Sequence, residues 1–446
     1  MGFVIIGGDA AGMSAASRAK RNQKEMEVIV LEQTGDVSYS ACGMPYNIAD
    51  AERSIEDLVV RHAETFREKQ GIDLRTGHRV ESIDRAEKTV TGKNQKGETF
   101  NISYDNLLIA TGASPIVPDL PGFDLPGVLA LKSLEDGRRI KDYLRTHTVK
   151  KVVIVGMGYI ALEMCEALRA RNIDVAMVKP RPVFLPWMAE ELSSVVMKEV
   201  DGHGVEIHMG HKIERIEAEG KNLKVKCPDL ELEGEMVLVA IGVKPNSELA
   251  SQAGLELGPS RSIAVDRTLR TTDEMIYSAG DCADAYHEVT GRKTWVPLAL
   301  RANRAGWAVG DNVTGKRVEL AGIVGSAVFK VFDLQVARTG LSLREAEESG
   351  FEPVEAVVRA RSRAHAHPGS TTMYLQIIGD KVSGRLLGMQ IVANDGAVHR
   401  IKAPSVALHS KMTVEAFSQC DLAYAPPFGP TWDPMLTAAN QLLKRM

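Results

Sequence analysis

A chain of 446 residues is too long for one ordinary hydrophobic core and too short for many, so two or three domains are expected. Hydrophobic residues at 44% and charged residues at 25% are those of a folded globular protein, and a net charge of -4 gives no electrostatic case for nucleic acid. No run approaches the ~20 uninterrupted apolar residues that cross a bilayer, and the N-terminus lacks the charged-then-apolar layout of a signal peptide, so a cytoplasmic location away from membranes is expected.

The first informative stretch is Phe3 to Ile6, a short apolar run followed by Gly7, Gly8, Asp9, Ala10, Ala11 and Gly12, then by helix-favouring residues from Met13 to Lys20. Strand, tight turn and helix in that order set free helix N–H groups and a positive dipole end against a pyrophosphate, and small residues let the backbone approach it. The next apolar run, Val28 to Leu31, ends in Glu32, an acid about twenty residues past Gly12 that suits a ribose hydroxyl. Asp9 departs from the pattern by standing where the second glycine of the fingerprint is usual.

Ser38 to Asn47 follows, with Cys42 ahead of Gly43 and Pro45, residues that open a helix. A cysteine at a helix N-terminus is expected to have its thiolate favoured by the dipole, and only the thiolate attacks sulfur. The alternative is a small buried thiol. Of the five cysteines, Cys42, Cys165, Cys227, Cys282 and Cys420, none stands in a CxxC spacing, so neither a disulfide framework nor a metal site is expected.

Strand, turn and helix recur at Val152 to Val155, then Gly156, Met157, Gly158, Tyr159, Ile160 and Ala161, then Leu162 to Arg171. Two such turns in one chain point to two dinucleotides. The following strand, Val175 to Val178, runs into Lys179, Pro180 and Arg181 rather than into an acid. Positive charge there pairs with a 2′-phosphate and favours NADPH over NADH, the alternative being two solvated surface cations.

With the two turns and Cys42, the segments Ala110-Thr111-Gly112, Ala240-Ile241-Gly242 and Ser278-Ala279-Gly280-Asp281-Cys282 give the sequence a resemblance to the flavoprotein disulfide reductases of the pyridine nucleotide group, over essentially the whole chain. The resemblance implies an α/β fold, glutathione-reductase-like, with two Rossmann-like dinucleotide-binding domains and an α+β C-terminal dimerisation domain. The FAD-binding domain would take residues 1–113 and 245–322, the NAD(P)-binding domain 114–244, and the dimerisation domain 323–446. It further implies that FAD lies on Gly7, Gly8, Ala10, Ala11, Gly12, Glu32, Thr111, Gly112, Gly280 and Asp281, the last at the ribityl chain. NAD(P)H would lie on Gly156, Gly158, Tyr159, Ile160, Lys179, Arg181 and Gly242.

Most members of the wider group carry a second cysteine where this chain has Asn47, so Cys42 works alone as the redox-active centre. That is similar to the single-cysteine branch of coenzyme A disulfide reductases, NAD(P)H sulfur or polysulfide reductases, and NADH oxidases and peroxidases. Ala10 replaces the histidine that oxidase and peroxidase relatives place in the first turn, which favours sulfur over oxygen chemistry. Ser14, Arg18, Arg21 and Ser38 correspond to residues that contact coenzyme A in the reductases; Arg18 and Arg21 also suit the carboxyl end of the first helix. Asn303 and Trp432 stand where some coenzyme A reductases have a histidine and a lysine that contact substrate.

His365 and His367 precede Pro368-Gly369 where relatives show a tyrosine pair; His367 is read as an acid or base, or as a loop residue. Tyr424 matches the family segment that reaches the partner subunit's active site, as proton donor, orienting group or packed interface residue. Cys165, Cys227 and Cys282 read as packing residues, and Cys420 as packing or a second thiol. The resemblance thus implies a homodimeric enzyme carrying electrons from NAD(P)H through FAD to Cys42 and on to a small disulfide, persulfide or polysulfide, with coenzyme A as a candidate ligand. An NAD(P)H oxidase working at the flavin, and a redox sensor that only binds coenzyme A and flavin, stay open.

Overall fold

Residues 2–446 are described by a computed structural model. Strands Gly2–Ile6 and Lys151–Val155 are each buried along their length apart from the first residue. Continuous apolar runs of this kind suit the centre of a parallel sheet covered on both faces. Each run is central to a five-stranded parallel sheet. The first sheet has the spatial order Ile276–Ser278, Asn106–Ile109, Gly2–Ile6, Glu27–Glu32, Asp73–Thr76. The second runs Glu206–Met209, Asp174–Lys179, Lys151–Val155, Met236–Val239, Val128–Ala130.

Each sheet is accompanied by a three-stranded antiparallel sheet, His78 to Ser103 in the first case and Arg215 to Gly234 in the second. The chain crosses between the two units twice. The crossing segments Ala113–Pro115 and Val243–Pro245 pair antiparallel, and Asn246 locks them by donating to Thr111 O at 2.8 Å and accepting from Ser114 Oγ at 2.7 Å. The C-terminal part is a five-stranded antiparallel sheet in the order Ala327–Val331, Leu334–Gly340, Leu386–Ala393, Thr372–Asp380, Pro353–Arg361, backed by helices that include Pro434–Leu443. Two Rossmann-like units and an antiparallel third unit are the architecture expected from the sequence.

Both turn helices begin earlier than expected, at Ala10 instead of Met13 and at Tyr159 instead of Leu162. The last residues of each turn are themselves the first helical turn, which brings its unpaired N–H groups to the glycines. One core cluster crosses unit boundaries: Met44 and Ile48, beside Cys42 in sequence, are buried with Ile154, Leu162 and Leu168 and with Phe329 and Val336 of the C-terminal sheet. Among the described residues no helix is long and apolar enough to cross a membrane.

Candidate active site

The first turn is shaped by close backbone approaches. A Cβ on Gly7, whose φ is 109°, would stand 2.2 Å from Ala110 O, and one on Gly12 would stand 1.9 Å from Gly7 O. Glu32, at the end of the second strand, accepts from Gly8 N at 2.8 Å and from Thr34 N at 2.7 Å, which fixes its carboxylate at the mouth of the turn. Asp9 does not cap its own helix. Burial pushes its carboxyl up to about 6, against the opposing pull of Lys132 and the Tyr39 N–H. Lys132 Nζ pairs with Asp281 Oδ2 at 2.9 Å. Nothing in the sequence around Lys132 marks it, because its partners lie in other parts of the chain.

A continuous cleft of about 2480 Å³ runs from this turn to the second one. Gly7, Gly8, Ala10, Ala11, Glu32, Thr111, Gly112, Gly280 and Asp281 line its first part; Gly12 lies behind the turn and does not. Gly156, Gly158, Tyr159, Ile160, Lys179, Arg181 and Gly242 line the second part. A Cβ on Gly112 or Gly158 would meet no atom within 4 Å, so at both places backbone faces open space. Helix N–H groups, glycines against open space and an acid at the strand end fit FAD in the first part; the second turn, with cations at its strand end, fits NAD(P)H.

In the second part, Lys179 Nζ donates to Val183 O at 2.6 Å, and its ammonium is pushed below its ordinary range by burial and by Arg181. Among the described residues no carboxylate pairs with Lys179 or Arg181. Tyr159 stands edge-on to Trp187 at 5.6 Å and tilted against Phe329 at 4.9 Å, while Arg338 lies 5.0 Å over the Trp187 ring. These three neighbours come from distant segments and were not anticipated.

Cys42 opens onto the cleft from a 3₁₀ turn, Ala41–Gly43, that leads into the helix Met44–Ala49. The expected stabilised thiolate is not what the surroundings favour. Loss of water contact and then the Glu163 carboxylate push the thiol above its ordinary range, while Lys132 pulls the other way. Asn47, in the place of a second cysteine, is fully buried and committed: it donates to Ser54 O at 2.7 Å and accepts from Lys141 Nζ at 3.1 Å. Cys165 and Cys282 are buried, while Cys227 and Cys420 are partly so.

Of the residues expected at a substrate, Asn303 lines the cleft, and Ser14 Oγ donates to its Oδ1 at 2.8 Å. Ser14, Arg18, Arg21 and Ser38 lie outside the cleft wall. The Arg18 fork closes on Asp311 at 2.8 and 3.0 Å, and both Arg18 and Arg21 lie over the Trp307 ring, at 5.5 and 5.6 Å. Ser38 holds a strained φ of 49° while its N–H donates to Gly8 O at 3.2 Å. Tyr424 and His367 do not line the cleft of their own chain. They lie on two loops joined by Ala364 N to Pro426 O at 3.1 Å, and Arg400, bonded to Asp433 at 2.9 Å and to Phe428 O at 2.8 Å, anchors the Tyr424 loop with Tyr424, Phe428 and Trp432 outward.

Residues 1–306 match the family model described as pyridine nucleotide-disulphide oxidoreductase, and residues 326–435 match the dimerisation domain of the same family. The chain belongs to that family. As a member it is an oxidoreductase of a family that binds FAD and NAD(P)H, and its antiparallel C-terminal sheet is a dimerisation domain, which implies a homodimer. It is 37% identical over 440 residues to the NAD(P)H coenzyme A polysulfide/persulfide reductase of Pyrococcus horikoshii, covering 98% of each chain. It is 32% identical over 447 residues to an NADH oxidase of Methanocaldococcus jannaschii, covering 100% of this chain and 99% of the other. A solved structure of a NAD-dependent persulfide reductase from A. fulgidus superposes with a TM-score of 0.96 at 34% identity, covering 100% of this chain and 83% of that one. The family in which it sits is thus one of NAD(P)H-dependent flavin disulfide and persulfide reductases in which NADH oxidases also occur.

Proposed function

We propose that the protein reduces a small disulfide, persulfide or polysulfide with electrons from NAD(P)H, through Cys42 alone. The observation that carries this reading is one cleft holding two phosphate-binding turns and a single open thiol, with Asn47 locked into packing where a second thiol would stand. FAD, held by the first turn with Glu32, Lys132 and Asp281, supplies the route for the two electrons of a hydride. The chain's own residues do the sulfur chemistry. The Cys42 thiolate attacks one sulfur of the substrate, a new S–S bond to Cys42 forms, and the other sulfur leaves as a thiol or hydrosulfide. Two electrons and a proton then cleave that bond, release the second thiol and restore Cys42.

The reading includes NADPH as the preferred donor, through Lys179 and Arg181, and places the units at 1–113 with 245–322, 114–244 and 323–446. It assigns Tyr424 and His367 to the neighbouring copy's cleft, since both belong to the dimerisation unit and neither lines the cleft of its own chain. Coenzyme A would have to use Ser14, Asn303 and Arg21, because the Arg18 fork is already filled by Asp311. Cys42→Ser is expected to keep its flavin and its nucleotide-dependent bleaching while disulfide turnover falls by at least ~10³. Normal disulfide turnover by that variant would end the proposal, and oxygen uptake that survives the substitution undiminished at full rate would favour an oxidase.

A further inference from the structure

Glu163 lies on Tyr159–Ala170, the helix that starts at the second phosphate turn, one turn beyond Tyr159, and it lines the same cleft as Cys42. Tyr46, four residues past Cys42, donates its hydroxyl to Glu163 Oε1 at 2.8 Å. Arg171, just after the same helix, donates to Ile48 O at 3.1 Å. The Cys42 segment is therefore held by the nucleotide-binding unit as well as by its own. The charges are unbalanced. Lys132, the cation bearing on Cys42, is paired with Asp281, whereas among the described residues no cation pairs with Glu163. Glu166, also on that helix, is paired with Lys330, and Asp9 and Asp281 add further negative charge near the thiol. Glu163 is the foremost charge opposing the thiolate, and burial raises its own carboxyl.

We propose that Glu163, fixed by Tyr46, is the positioning residue through which the nicotinamide-nucleotide turn governs when Cys42 ionises. The inference rests on Cys42 being the working thiol. Glu163 lines the cleft beside the second turn, so an oxidised, positively charged nicotinamide bound there would offset its charge. With only a neutral reduced nicotinamide bound there, the Glu163 charge would stand unopposed and would favour the Cys42 thiol. Ionisation of Cys42 is thereby timed to the arrival of electrons, and the linkage requires that a thiolate in turn tighten oxidised nucleotide.

The test follows iodoacetamide alkylation of Cys42 in the flavin-loaded protein by mass spectrometry, from about pH 6 to pH 10, with and without NADP⁺. Glu163→Gln is expected to move the alkylation midpoint down by about one unit, roughly tenfold faster reaction below the midpoint, and Glu163→Asp to restore the original profile. NADP⁺ is expected to move the unsubstituted protein the same way and to leave Glu163→Gln unmoved. Superimposable profiles for the two proteins, or an equal NADP⁺ response in both, would overturn the proposal. If Glu163→Gln fails to hold flavin, Tyr46→Phe serves: a weakened NADP⁺ response supports the link and a full response refutes it. Alkylation reports the thiol and not turnover, so failure here is separate from failure of the Cys42→Ser test of disulfide reduction.

Discussion

The two phosphate turns share a backbone and differ in what it carries. Gly7 and Gly156 both have positive φ, 109° and 121°, and at both a Cβ would stand 2.2 Å from the carbonyl of the residue just after a neighbouring strand, Ala110 or Ala240. The first glycine is therefore set by chain closure. At the second position the chain has Asp9 in one turn and Gly158 in the other, where a Cβ would meet open space. No other part of the protein crowds a side chain there. At the third position Gly12 presses on Gly7 O, whereas Ala161 is accommodated and fully buried. Only the distance between helix and turn decides that residue.

The largest break in this comparison is expected from a single methyl group. Gly12→Ala forces its helix off the Gly7 carbonyl and should cost more than ~3 kcal/mol with loss of retained FAD, whereas Gly158→Ala should cost under ~1 kcal/mol. Flavin absorbance per protein and thermal midpoints measure both. Equal costs would mean that contact distance is not what separates the two turns.

Asp9 sharpens the comparison at the second position. Its carboxyl titrates at about 6 in the fold against an ordinary 3.8, so the folded state keeps a proton that the unfolded chain has lost between those values. Stability contributed by the neutral form is therefore present at low pH and falls as pH rises through that window, reaching a penalty of about 3 kcal/mol above it. Asp9→Asn should leave the flavin-free protein unchanged near the bottom of the window and raise its unfolding midpoint increasingly toward neutral pH. A constant difference at all pH values would show that Asp9 is ionised throughout.

What the sequence could show follows the same division. The apolar runs, the glycine spacing and the lone Cys42 are local signals, and they carried the two parallel sheets and the family. The Arg18 partner, Asp311, lies 293 residues away, and Lys132 with Asp281, Tyr46 with Glu163, and Tyr159 with Phe329 meet only when separate units pack. The expectation for Cys42 failed for this reason. A helix-start rule uses the residues next to the thiol, but burial and then a carboxylate from the other unit push that thiol above its ordinary range.

The charge at the end of the second strand is the remaining contrast, Glu32 in one unit against Lys179 and Arg181 in the other. Glu32 is anchored by two backbone N–H groups, so its charge is fixed at the mouth of the first turn. Lys179 is held by Val183 O and Arg181 lies exposed beside it, which leaves two cations without a carboxylate among the described residues. A ribose bearing a 2′-phosphate relieves their mutual repulsion, and an unphosphorylated ribose does not. Replacing both by alanine should lower kcat/KM for NADPH by about 10- to 100-fold, some 1.4 to 2.7 kcal/mol, while changing that for NADH by less than ~3-fold. The NADPH KM of the unsubstituted protein should also climb with added salt, and the variant's should not. An equal loss with both nucleotides would place the two cations at the pyrophosphate rather than the ribose, and the contrast with Glu32 would then concern how each turn neutralises phosphate, not which sugar it reads.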